Sequence, residues 1–266
     1  MKSIFHIPVN SPSEMYASLI WEVEGVPGYA RETILPRGCF EIIFNFSERI
    51  TYIDLKDKVE KTAPLYCVIG YNTMPITGHF SQNHHFFGIR LKASAVSSIF
   101  RINPGELTNE LIDLTLIRRD FHELWEKLYE SDDFQGRMKI VEKFFQHLKI
   151  ESCCRLQAID QIMRSPGLTH FDRVEDLAAY SCYSIRQLQR NIQKTYGVSP
   201  NELLRYKKFL SSVLLMHKEG SNLTQIAHQS GFYDQSHFGK TFKSYTTLSP
   251  KEYYQNKSHI PFHLYV

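Results

Sequence analysis

Two short stretches of this 266-residue chain carry side chains suited to hydrogen bonding with the edges of nucleic-acid bases. In Ser184-Ile185-Arg186-Gln187-Leu188-Gln189-Arg190-Asn191-Ile192-Gln193-Lys194, Ile185, Leu188 and Ile192 recur at three- and four-residue steps, and this spacing predicts that they face inward. Arg186, Gln189, Arg190 and Gln193 then fall on the outer face. Arg and Gln are the side chains that pair bidentately with guanine and adenine in a major groove. The second stretch is Asp234-Gln235-Ser236-His237-Phe238-Gly239-Lys240-Thr241-Phe242-Lys243, with Phe238 and Phe242 as core pair and Gln235, Ser236 and Lys240 outward. Asp234 is placed to cap its first turn. Neither stretch has an acidic side chain after its first residue, as closeness to phosphate requires.

The elements that must position these residues form an internal repeat. Leu177-Ala178-x-x-x-Cys182-Tyr183 returns as Ile226-Ala227-x-x-x-Gly231-Phe232 at an offset of 49. One extra residue in the second turn moves the offset to 50, where Leu188 matches Phe238, Arg190 matches Lys240 and Ile192 matches Phe242. Ser199-Pro200-x-Glu202 likewise matches Ser249-Pro250-x-Glu252. Each copy reads as a short helix, a tight turn and a second helix packed across a small Ala, which is helix-turn-helix grammar.

The block from Ile226 to Lys243, closing with Leu248-Ser249-Pro250-x-Glu252-Tyr253, resembles the signature of the AraC/XylS family, and the resemblance covers about residues 155–257. It implies a seven-helix unit with two helix-turn-helix motifs joined by a long helix, here Pro200 to His217, and double-stranded DNA and RNA polymerase as partners of an activator. It puts the base-reading positions on Arg186, Gln189 and Arg190 in the first copy and on Gln235, Ser236 and Lys240 in the second. Three residues depart from the pattern. Cys182 stands where the second copy has Gly231, a strained choice if the turn needs positive φ. Lys240 offers a point charge where a guanidinium fork would read guanine better, and Gly239 weakens its helix by about 1 kcal/mol relative to Ala.

The first half is different. Short runs rich in β-branched and aromatic residues (18–23, 39–46, 50–55, 65–69 and 85–91) alternate with turn signals such as Val26-Pro27-Gly28 and Pro36-Arg37-Gly38. They predict a sandwich or small barrel. The period then changes to that of amphipathic helices, over 118–130 with Phe121, Leu124, Trp125 and Leu128, and over 134–148 with Phe134, Met138, Val141, Phe144, Phe145 and Leu148. After Glu151 everything reads as short helices. Leu35-Pro36-Arg37-Gly38-Cys39-Phe40-Glu41-Ile42-Ile43-Phe44-Asn45-Phe46 resembles a strand of the cupin-like sensor domains fused to some AraC-type regulators, with Arg37 where Asp is expected. The reading is therefore an α+β two-domain chain. Residues 1–150 form a β-barrel or sandwich with added helices for sensing or dimerisation, and 155–257 form an all-α DNA-binding domain.

Composition bounds the alternatives. Hydrophobic residues make up 42% and charged residues 22%, which excludes a disordered, collagen-like or coiled-coil chain. From residue 151 onward 14 basic residues face 9 acidic ones, so the basic surface lies in the C-terminal part. No run approaches a membrane span or a signal-peptide core, and Cys39, Cys67, Cys153, Cys154 and Cys182 form no C-x-x-C pair, which suits a reducing cytoplasm. No catalytic motif, cofactor loop or paired ligand spacing is present, so neither an enzyme nor a cofactor is expected. His79, His84 and His85 accompany Glu41 in a half that cupin chemistry would use for metal. Adjacent histidines on a strand point to opposite faces, however, and no metal site is assigned. A small effector could sit among Phe40, Phe44, Phe46, Phe86 and Phe87, but the same rings also suit a solid core, and no ligand-binding residue is assigned. The helices of 118–148, with Trp125 and Phe145, offer a face for a homodimer.

Overall fold

Apolar alternation and local capping account for most of the architecture. The computed structural model describes residues 2–54, 58–80, 83–148, 154–164, 171, 173–218, 220 and 222–265. The first half contains β1 (Lys2–His6), β2 (Ala17–Gly25), β3 (Arg31–Ile34), β4 (Phe40–Asn45), β5 (Thr51–Ile53), β6 (Glu60–Thr62), β7 (Tyr66–Ile69), β8 (Ile76–His79) and β9 (His84–Leu91). Helix α1 (Ala93–Phe100), strand β10 (Leu111–Asp113) and helices α2 (Asp120–Tyr129) and α3 (Phe134–Gln146) follow. Then come α4 (Cys154–Arg164), α5 (Val174–Tyr180), α6 (Ile185–Tyr196), α7 (Pro200–Met216), α8 (Leu223–Gln229), α9 (Gln235–Thr246) and α10 (Pro250–Asn256), and last β11 (His263–Tyr265). The chain is thus a β-rich half with added helices, followed by the seven helices α4–α10.

The strands form two antiparallel sheets, ordered β1-β2-β9-β4-β7-β10 and β11-β3-β8-β5-β6. Strand β4 lies inside the larger sheet, and its run Phe40-Glu41-Ile42-Ile43-Phe44-Asn45 is buried on both faces, as an interior strand with two covered faces requires. Trp21 sits opposite Gly88 across β2 and β9. A Cβ on Gly88 would come within 2.1 Å of the indole, so only glycine admits the ring there. The indole Nε1 in turn donates to Glu41 at 2.9 Å. Glu41 is 1% exposed and is held by Arg37 and by Arg90, its cross-strand partner. Burial alone would raise its pKa, but the two guanidiniums, the indole hydrogen bond and His263 together hold the carboxyl below its ordinary value.

Phe40, Phe44 and Phe87 lie at 1% exposure or less within the core. The cavity lined by both sheets, from Ile34, Leu35 and Ile76 to Glu41 and Ile69, holds only about 40 Å³. Phe40 and Phe44 alternate with Glu41 along β4, and Phe87 lies opposite Phe44 on β9, so these rings belong to the packed core on the face opposite that small cavity. The histidines that accompany Glu41 in sequence are dispersed: His79 pairs with Arg31, His84 packs on Phe80, and His85 turns to the other face of β9 and meets Glu22.

Helices α2 and α3 spend their apolar stripes internally. Phe121, Leu124, Leu128, Phe134, Met138, Val141 and Phe145 are buried, Phe145 stacks on Tyr16 with centroids 4.7 Å apart, and Trp125 donates to the Asn45 carbonyl at 3.1 Å. The expected homodimer face on these helices is therefore already covered by the chain's own sheet.

The two halves share one core. Tyr71 packs edge-on against Tyr196 and Tyr206, with centroids 5.2 and 5.1 Å away. The Tyr206 hydroxyl accepts from Gly38 N at 2.9 Å and donates to the Asn72 carbonyl at 2.7 Å. Thr108 Oγ1 donates to the Tyr196 carbonyl at 3.0 Å, and Asp160 accepts from Ser94 N and from the Tyr196 hydroxyl. One element departs from the all-helical reading of the second half, since β11 returns to pair with β3, aligning His263 with Ile34 and Tyr265 with Glu32. His263 meets Glu32 at 2.5 Å. A strand of three residues carries no periodic signal of its own, so its pairing depends on a distant partner. The boundary expected near 150–155 falls on residues mostly outside those described, as do Cys153 and the side chain of Cys154.

Candidate nucleic-acid interface

Both motifs take their shape from the same local instructions. Leu177 and Ala178 are buried in α5, and Ile226 and Ala227 occupy the same places in α8. Leu188 and Ile192 in α6, and Phe238 and Phe242 in α9, are at 2% exposure or less. The small Ala allows the second helix to cross close to the first. In the first turn Cys182 N donates to the Ala179 carbonyl and Tyr183 N to that of Ala178. The second turn repeats this with Gly231 N to His228 and Phe232 N to Ala227. Both turns need the left-handed region, with φ 53° at Cys182 and 79° at Gly231. Cys182 therefore carries the strain that its glycine counterpart avoids. Its side chain is exposed, so Cys182→Gly should stabilise the chain by about 0.5–1 kcal/mol. A denaturant titration checks this, and a lower midpoint would mean that the thiol contributes packing.

The recognition helices are capped at their first residues. Ser184 accepts from Gln187 N at 3.3 Å while the Gln187 side chain accepts from Ser184 N, a full capping box. Asp234 accepts from His237 N at 2.7 Å and caps α9 as the sequence implied. The two Ser-Pro-x-Glu segments are also capping boxes, opening α7 and α10 with Pro in the first turn. Hydrogen bonds from Ser199 and Ser249 hold the Glu202 and Glu252 carboxyls below their ordinary values. Helix α7, which joins the motifs, buries Leu203, Leu204, Tyr206, Phe209, Leu210 and Val213.

Arg186, Gln189 and Arg190 are all exposed on α6, with Gln193 and Lys194 beside them. Gln235, Ser236 and Lys240 are exposed on α9, with Lys243 one turn on. Each predicted set is thus gathered on one bare helix face, and the two sets lie on separate helices. The α6 face can donate to phosphates and bond to base edges without rearrangement. Two details differ from the sequence reading. Ile185 is 45% exposed rather than inward, because the first helical residue has no preceding turn to cover it. Gln235 Nε2 is already engaged by Thr224 Oγ1 of α8. Open space surrounds Gly239, where a Cβ would meet nothing within 4 Å, so no packing demand explains that glycine.

Two further residues escaped the sequence reading. Tyr233, 89% exposed just before the α9 cap, is the one-residue insertion that shifts the repeat offset from 49 to 50. That insertion was the signal that could have found it. Lys207, 3% exposed, donates to the Ile162 carbonyl at 2.6 Å and anchors α4 to α7, and burial pulls its amine down to about 8. Cys67 is buried, and burial pushes its thiol up to about 12.

Comparisons with known proteins find matches in both halves of the chain. A family profile described as a helix-turn-helix domain matches residues 177–256, and one described as a domain of unknown function (DUF6597) matches residues 14–113. The HTH-type transcriptional regulator MtrA of Neisseria gonorrhoeae is 29% identical over 80 residues, covering 30% of this chain and 27% of that protein. The HTH-type transcriptional activator RhaS of Salmonella arizonae is 28% identical over 87 residues, covering 33% of this chain and 31% of that protein. The chain therefore matches less than a third of the length of these curated relatives. ToxT of Vibrio cholerae, a solved structure, is 15% identical with a TM-score of 0.48, covering 96% of this chain and 98% of that one. A doubled helix-turn-helix unit lies behind a β-rich domain, and the helical unit is the part the chain shares with these transcriptional regulators. Residues 177–256 thus resemble the helix-turn-helix domain of AraC-type regulators. Among the described residues no helix is long and apolar enough to cross a membrane.

Proposed function

We propose that the chain is a transcription activator that places α6 and α9 in successive major grooves of one duplex. Arg186, Gln189 and Arg190 read bases from α6, and Gln235, Ser236 and Lys240 contact DNA from α9. The observation that carries this reading is that all six side chains are exposed on two capped helices whose faces hold no carboxylate. Activation, and contact with RNA polymerase, follow from the family and from relatives such as RhaS that are named activators. The reading assigns the chain no enzymatic step and places it in the cytoplasm with the chromosome. The first half supplies control by a small effector, with a second copy of the chain aligning two sets of motifs on repeated half-sites. Tyr206, Tyr196 and β11 tie the sensing half to the DNA-binding half and offer a mechanical route for that control.

A second reading, in which the first half only dimerises and no effector acts, is favoured by the small size of the cavity between the sheets, about 40 Å³. Genome-wide mapping of the tagged chain, with reporter transcription from the enriched sites, tests the main reading. The expected result is a motif with two elements about one helical turn apart and a rise in transcription on expression. A fall in transcription would make the chain a repressor, and absence of an enriched motif would overturn sequence-specific reading altogether.

A further inference from the structure

The outer face of the larger sheet carries a group of ligating atoms that the DNA-binding reading does not use. Glu22 and Glu24 are two residues apart on β2 and so share one face. Register places Glu24 directly opposite His85 of β9. One ligand atom from each of the three lies within 4.8 Å of the others. We propose that Glu22, Glu24 and His85 form a binding site for a divalent transition-metal cation.

Three observations beyond the clustering support this. Glu22 is 7% exposed and its Oε2 has no hydrogen-bond partner among the described residues. Its other oxygen is taken by Arg137 Nη1 and His85 Nε2, both at 2.9 Å. A buried carboxylate oxygen without a donor is costly unless something positive completes it. A cleft of about 300 Å³ opens beside it, lined by Glu22, Glu24, Asp132 and Asp133 and by Lys2. Counting Arg137, four carboxylates there face two cations, an excess that a dication balances. Finally, the His85 ring is held edge-on against Phe46, with centroids 5.0 Å apart, so its orientation is set before any ion arrives.

Bonds near 2.1 Å put the ligand atoms of one ion roughly 3–4 Å apart. The exposed Glu24 side chain would turn toward the other two to reach that spacing. One imidazole nitrogen with carboxylate oxygens, and no thiolate, suits Zn²⁺, Mn²⁺ or Co²⁺ rather than a soft cation such as Cu⁺. This trio shares only His85 with the histidines and Glu41 considered from sequence, because strand register, not sequence proximity, assembles it.

The test uses the full chain, stripped with chelator and titrated with Zn²⁺ and with Mn²⁺ by calorimetry and thermal unfolding. The expected result is one equivalent bound, with a saturable rise in Tm that follows RT ln(1 + [L]/Kd). Glu24→Gln and His85→Ala should each weaken binding by about tenfold or more, with Tm in chelator measured for each. Glu24 is exposed, so its variant keeps the fold even if the His85 variant loses it. Failure of both cations to bind below about 1 mM, or unchanged binding in Glu24→Gln or in a folded His85→Ala, overturns the site.

Discussion

Replacing Arg137 with methionine should cost about 3–5 kcal/mol of folding stability, the range for removing one partner of a buried ion pair. Arg137 is 4% exposed, and its guanidinium ties three parts of the first half together. Nη1 meets Glu22 at 2.9 Å, Nε donates to the Leu128 carbonyl at 3.0 Å, and Nη2 donates to the Ser131 carbonyl at 2.5 Å. The cation also sits 5.1 Å from the centre of the Phe46 ring. Methionine keeps most of the stem's volume, so the loss comes from chemistry rather than from a cavity. The buried Glu22 carboxylate would keep only His85, the Ser131 carbonyl would lose the guanidinium donor, and the Leu128 carbonyl would keep only backbone N–H groups. Adding Glu22→Gln should recover part of the loss, because the pair is coupled and the uncompensated charge disappears. Urea titrations of the two single variants and the double variant measure this. A loss under about 1 kcal/mol in Arg137→Met would place the pair among solvent-screened surface bridges.

Arg137 also illustrates where sequence reading stops. It lies in α3 between Phe134 and Met138, on a helix whose apolar stripe is plain in sequence, yet nothing local says that its charge is buried. Its partner is 115 positions away, on a strand. The double helix-turn-helix, by contrast, was readable nearly residue by residue, because its instructions are local. Ala178 and Ala227 mark helix crossings, Ser-Pro-x-Glu marks a helix start, and Leu188, Ile192, Phe238 and Phe242 mark one face. The exposed candidates for base contact followed once those faces were fixed. Ile185 was misplaced because periodicity does not register where a helix begins. The second sheet was largely hidden. Glu60-Lys61-Thr62 and Ile76-Thr77-Gly78-His79 carry little apolar alternation, and they are strands because β5 and β3 offer partners. The same holds for the carboxylates and histidine on β2 and β9, which only strand register brings together.

Alanine at Arg190 should weaken specific DNA binding by about 1–3 kcal/mol, and the first motif should dominate sequence discrimination. Both guanidiniums of α6 and Gln189 are exposed on a helix locked by a full capping box, so little ordering is needed when they meet base edges. Helix α9 starts at a disadvantage. Gln235 must first leave Thr224, Lys240 offers a point charge in place of a fork, and Gly239 loosens the helix between them. Two recognition helices on one duplex face need grooves about 34 Å apart, and bending DNA to seat both costs on the order of 1–6 kcal/mol. A helix with weak base contacts has less to set against that cost, so α9 should act chiefly on phosphates. Systematic base substitution across the mapped site, titrated by gel shift at one fixed salt, should then give large losses under α6 and small ones under α9. Lys240→Ala should lower affinity for specific and random DNA alike and reduce the salt slope by about one, whereas Arg190→Ala should act on the specific site alone. Equal losses from Arg190→Ala on both DNAs would make Arg190 a phosphate clamp, and a base profile steepest under α9 would reverse the order of the two motifs.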